Sequence, residues 1–121
     1  MQVMALIYGD RTRWDAFSAE EREAAYDQYR AFAEEARDAG VMLGGDELAS
    51  TQDATTVRVR DDETLVTDGP YAEVKEALGG YFLFECGSMD EAIEYAARIP
   101  GAEHGAVEVR PIHVEPGEAT A

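Results

Sequence analysis

Two serines, seventy residues apart, constrain this chain more than any other feature. Ser18-Ala19-Glu20-Glu21 and Ser88-Met89-Asp90-Glu91 each set a hydroxyl three residues ahead of a carboxylate, the spacing of a capping box that opens a helix. From the first box, Arg22, Tyr26, Tyr29, Ala33 and Ala36 recur at three- and four-residue steps with Phe32 beside them. They form one apolar stripe that runs to about Ala39, where Gly40 offers a left-handed stop. From the second box a helix extends through Ile99, and Pro100-Gly101 ends it.

Short apolar runs surround these two helices and read as strands. Val3 to Tyr8 ends at Gly9-Asp10. Val41 to Leu48 is interrupted by Gly44-Gly45, which predicts a bulge or a bend. Thr55 to Arg60 alternates, with Val57 and Val59 on one side and Thr56, Arg58 and Arg60 on the other. Asp61-Asp62-Glu63 is a tight acidic turn, and Thr64 to Thr67 returns as the partner strand. Asp68-Gly69-Pro70 reverses the chain. Tyr71 to Leu78 predicts one or two helical turns, closed by Gly79-Gly80. Tyr81 to Cys86 is the best candidate for a central strand. Ala106 to Val114 is the last one, with Pro111 implying an edge position or a bulge.

The order β-α-β-(β-β)-β-α-β is that of a ferredoxin-like α+β domain with an inserted hairpin. The 121 residues leave room for one core, which we place at 1–114, with 115–121 as a frayed tail. Two helices cover only one face of the sheet, so a second subunit is the natural cover of the other.

Charge excludes several roles. The formal net charge is −16, from 26 acidic and 10 basic residues. Such a surface repels phosphates, so neither nucleic acid nor an anionic membrane is an expected partner. No stretch approaches the ~18 apolar residues of a membrane span. The N-terminus lacks the basic region and small-residue cleavage site of a signal peptide, so a cytoplasmic location is expected. The lone Cys86 cannot close an intrachain disulfide or build a multi-thiolate zinc site. No metal and no cofactor is expected.

The segment Asp68-Gly69-Pro70-Tyr71-Ala72-Glu73-Val74-Lys75-Glu76, taken with Leu78-Gly79-Gly80-Tyr81-Phe82, resembles the signature of the DGPF family within the wider YCII-related superfamily. Met4 to Asp10 resembles that family's opening strand, Ala54 to Arg60 its hairpin, and Val107 to Ile112 its last strand. Tyr71 stands where the signature carries Phe. The resemblance implies a dimeric α/β barrel, in which two ferredoxin-like sheets close on each other. It implies little chemistry. Some superfamily relatives use a His on the first helix and an Asp before a Pro near the end of the second. Here the first helix has no His, and Ile99 precedes Pro100. The resemblance also implies a regulatory association with sigma factors of the extracytoplasmic-function class.

Several residues carry both a functional and a structural reading. Asp68 is either a carboxylate at a pocket mouth or the acceptor of an Asx-turn, and turn chemistry alone explains it. Glu73 as a general base and Lys75 as an electrostatic stabiliser form one reading; a solvated short helix is the other. Arg58, Arg60 and Arg110 make an anion-binding spot if two of them share a barrel-facing side, or cross-strand ion pairs with acids such as Glu108. His104 in a loop is a better catalytic candidate than His113, and a surface histidine is the plain alternative. Tyr8, Tyr81, Phe82 and Phe84 build core and interface, with a tyrosine hydroxyl such as that of Tyr81 available to a cavity. Function is expected to be small-molecule binding or isomerase/lyase-like chemistry in a homodimer. The alternative is a non-catalytic module that docks a sigma factor or another basic protein.

Overall fold

The structure, a computed structural model, describes residues 1–117. It runs β1 (Gln2–Asp10), α1 (Arg11–Asp15), α2 (Ala19–Asp38), β2 (Met42–Glu47), β3 (Thr55–Arg60), β4 (Glu63–Asp68), β5 (Glu76–Glu85), α3 (Met89–Ala97) and β6 (Ala106–Pro111). The fold is α+β. Four strands form one antiparallel sheet in the order β2-β5-β1-β6, and β3 and β4 form a separate hairpin. Part of the expected tail, residues 118–121, lies outside the described residues.

Both helices start at the expected serines, the first with a complete capping box and the second with its serine half alone. The Ser18 hydroxyl accepts from the Glu21 amide and the Glu21 carboxylate accepts from the Ser18 amide, while the Ser88 hydroxyl accepts from the Glu91 amide. Gly40 adopts the left-handed conformation, φ 74°, that terminates α2. The short helix α1 has a cap of its own, with the Asp10 carboxylate accepting from the Thr12 amide and hydroxyl.

The core lies between these helices and one face of the sheet. Val3 and Ala5 of β1, Phe82 and Phe84 of β5 and Met42 of β2 point at Phe32 and Ala36 of α2 and at Ala92 and Ala96 of α3. The Phe82 and Phe84 rings run nearly parallel, 7° apart, and Phe32 packs against Phe82 at 5.3 Å between centroids. Gly45 is demanded by close approach: a Cβ there would lie 2.5 Å from both the Phe82 ring and the Tyr81 carbonyl oxygen. Among the described residues no helix covers the opposite face, where Met4, Leu6, Tyr8, Tyr81 and Leu83 project.

Three expectations are corrected. Residues 71–75 are irregular, and Glu76 to Gly80 belong to β5 rather than to a helix and its stop. The end of β1 supplies partners that local propensity does not show, since Gly9 faces Ala77 and Asp10 faces Glu76. The bulge in β2 falls at Leu43, one residue before the glycine pair. The last strand stops at Pro111, so His113 and Val114 lie beyond it; the Ile112 amide still reaches the Gln2 carbonyl, after which β1 has no residue left to pair. Pro111 sits at the end of an edge strand, where its missing N–H is tolerated.

Phe84 is fully buried, so Phe84→Ala is expected to cost about 3–5 kcal/mol in a denaturant titration. Ile93→Ala, on the exposed side of α3, is expected to shift stability by no more than about 0.5 kcal/mol.

Candidate functional site

The sheet ends where the hairpin begins, and a cleft of about 800 Å³ opens between them. Its floor is Tyr8 of β1 with Ala77 and Leu78 of β5. One wall is the segment from Leu48 to Ala54, which joins β2 to the hairpin, and the other is Pro70 to Val74. Thr55, Thr56 and Val57 of β3 close the side.

Hydrogen bonds hold these walls in place. The Leu48 amide donates to the Gly79 carbonyl at 2.9 Å, which ties the first wall to the floor. Ser50 caps a 3-10 turn, Thr51–Asp53, its hydroxyl accepting from the Gln52 amide. The Gly69 amide donates to the Ala54 carbonyl at 2.8 Å, and the Thr56 hydroxyl donates to the Gly69 carbonyl at 2.8 Å. Asp68-Gly69-Pro70 is therefore braced by backbone and by Thr56. The exposed Asp68 carboxylate accepts no hydrogen bond among the described residues, which corrects the Asx-turn reading.

The lining is chiefly apolar. Its polar members are Ser50, Thr51, Thr55, Thr56, Tyr8, Tyr71 and Asp53, and no Lys, Arg or His contributes among the described residues. Such a surface suits a neutral, largely apolar molecule with a few hydrogen-bonding groups.

The residues singled out from the sequence do not converge on one point. Glu73 lines a smaller adjoining cleft of about 260 Å³. Lys75 lies near Asp10, whose carboxyl is held below its usual range first by the Thr12 hydroxyl and amide and further by the Lys75 charge. Arg58 stacks over the Tyr71 ring at 5.4 Å on the hairpin, while Arg110 sits on the main sheet, so the two do not share a strand pair. His104 is exposed at the end of a 3-10 turn, 3.9 Å from the Glu103 carboxylate. Cys86 is buried, and burial pushes its thiol up.

Two hydrogen-bonded groups mark the margins of the uncovered face. The Arg110 guanidinium donates to Glu108 at 2.7 Å, and the Tyr8 hydroxyl donates to the other Glu108 oxygen at 3.2 Å. The Arg110 bond holds the Glu108 carboxyl low; burial, then Glu108 itself, raises Tyr8. Across the sheet the Tyr81 hydroxyl donates to Asp46 at 3.2 Å, and that bond raises Tyr81. Among the described residues no three His, Cys, Asp or Glu side chains come together as metal ligands would.

The cleft residues Leu48, Ser50, Thr51, Asp53 and Val74 escape sequence reasoning. The available signal was Ser50-Thr51-Gln52-Asp53, a small polar cluster with a capping serine between two strands.

Removing the Arg110 partner is expected to raise the Glu108 titration midpoint in Arg110→Ala, observable by side-chain carboxyl NMR, because the bond that favours the charged form is lost. Asp68→Ala is expected to leave the unfolding free energy from a denaturant titration within about 0.5 kcal/mol of wild type, since no bond in the turn depends on that carboxylate.

An uncharacterized protein of Rhizobium meliloti (strain 1021) is 37% identical over 121 residues, spanning 98% of each chain. The YCII-related domain matches residues 1–115. From its first strand to just past its last, the chain belongs to the YCII-related family.

Proposed function

We propose that this YCII-related protein is a homodimeric, DGPF-like domain that binds a neutral, largely apolar small molecule. The observation that carries the reading is the cleft beside Tyr8 and Leu78, large enough for a drug-sized ligand and lined by apolar groups and hydroxyls. Isomerase or lyase chemistry needs an acid and a base facing each other across a substrate. Asp53 is the lone carboxylate among the described lining residues and no histidine or lysine joins it, so binding is favoured over catalysis.

The sheet order β2-β5-β1-β6 supports the ferredoxin-like plan, and the uncovered face supports the dimer. Met4, Leu6 and Leu83 at its centre are apolar side chains with no helix over them. A second copy would bury them and close the dimeric barrel.

A second reading, a module that docks a basic protein such as a sigma factor, is favoured by charge. Residues 61–121 hold 14 acids against 3 bases. Such association would be steered electrostatically and would weaken as salt rises above ~0.15 M.

Two experiments separate these readings. Sedimentation at micromolar concentration is expected to give twice the 13.2 kDa chain mass, and Leu6→Glu is expected to return the monomer. A folded wild-type monomer would contradict the dimer. A neutral fluorescent dye, Nile red, is expected to bind the wild type, and Val74→Asp to bind it about tenfold more weakly, equivalent to ~1.4 kcal/mol. No dye uptake, with salt-sensitive capture of a sigma factor, would transfer the function to docking.

A further inference from the structure

Among the described residues the hairpin β3–β4 is paired only with itself, and a two-stranded ribbon alone is marginal in water. Its turn adds to the difficulty, because Asp61 (φ 51°) and Asp62 (φ 63°) both occupy the left-handed region that glycine favours. Yet one face is built as if for burial. Val57 and Val66 are direct cross-strand partners and Val59 lies one pair further on, facing Thr64. These valines are 60%, 64% and 59% exposed, and every residue of β4 is exposed.

Charge and area together point to what covers this face. Opposite it, Arg58 and Arg60 face Leu65 and Glu63, but the valine face carries no charged residue until Asp68 at its end. In a chain of net charge −16, a second copy is repelled from most of the surface and least opposed at an uncharged apolar strip. A two-fold contact between copies would use the same patch twice. The uncovered face of the main sheet offers four residues each from β1 and β5, three from β6 and two from β2. That falls short of the roughly 20–30 residues a side of a standard interface. The hairpin lies next to that face, since Val57 and Tyr8 line the same cleft.

We propose that the valine face of the hairpin packs on a second copy of this chain, extending the homodimer interface from the uncovered sheet face past the cleft. This rests on the homodimer reading above. The second copy then walls the cleft, so a ligand held there and the dimer stabilise each other.

The test is sedimentation equilibrium of wild type and of the pair Val59→Lys and Val66→Lys, two positions already open to solvent in the single chain. The wild type is expected to dimerise, and the variant to dissociate at least about tenfold more readily with unchanged far-UV circular dichroism. A wild-type dimer with an equally tight variant dimer would overturn the hairpin contact and leave the dimer reading standing. A monomeric wild type would overturn both. Should the lysine pair misfold, Val59→Thr with Val66→Thr keeps the β-branched shape: weaker dimerisation supports the contact, and an unchanged constant opposes it.

Discussion

Everything in this protein depends on the alternation of β5. Phe82 and Phe84 point at α2 and α3, where their rings pack against Phe32 and Tyr95 in the buried cluster that also holds Val3. Side chains of a strand alternate, so Tyr81 and Leu83 are driven to the opposite face. Pairing with β1 carries the same division across the sheet, with Val3 and Ala5 inside and Met4 and Leu6 outside. Burying the phenylalanines therefore creates the uncovered face as its necessary counterpart.

The cleft arises from a break in that alternation. Between Ile7 and Tyr8 the register shifts, so Tyr8 faces Leu78 instead of Gly79. The bulge keeps Tyr8 and Leu78 together as a floor and leaves the Gly79 carbonyl to accept from Leu48. That bond draws in the segment from Leu48 to Ala54, and the cleft wall follows from it. Tyr8 joins the two regions, since its ring lines the cleft and its hydroxyl bonds Glu108 at the edge of the sheet.

Local signals account for what could be read in advance. The box at Ser18, the N-cap half of the box at Ser88, the stop at Gly40 and the alternation of β3 depend on neighbours within four residues, and these appear in the structure. The α+β order follows from them. Glu76 to Gly80 could not be read, because their strand geometry comes from partners seventy residues away. Helix α1 was missed although Asp10 carries an N-cap side chain, since Gly9-Asp10 reads equally well as the end of a strand. The cleft was illegible for a related reason. Tyr8, Asp53 and the stretch from Tyr71 to Leu78 are distant in sequence and are brought to one cleft by the tertiary fold. The charged residues picked out by type, Asp68, Lys75, Arg58 and Arg110, turned out to be dispersed over the hairpin, the loops and the edge strand.

Burial of the sheet face opposite the helices by a second copy is the proposal on which the dimer rests. Isotope-filtered NOE spectroscopy on a mixture of labelled and unlabelled chains reports contacts between copies alone. Intermolecular NOEs from the methyl groups of Met4, Leu6 and Leu83 are the predicted result. A dimer whose NOEs come only from the helix side, for instance from Ile93, would contradict it.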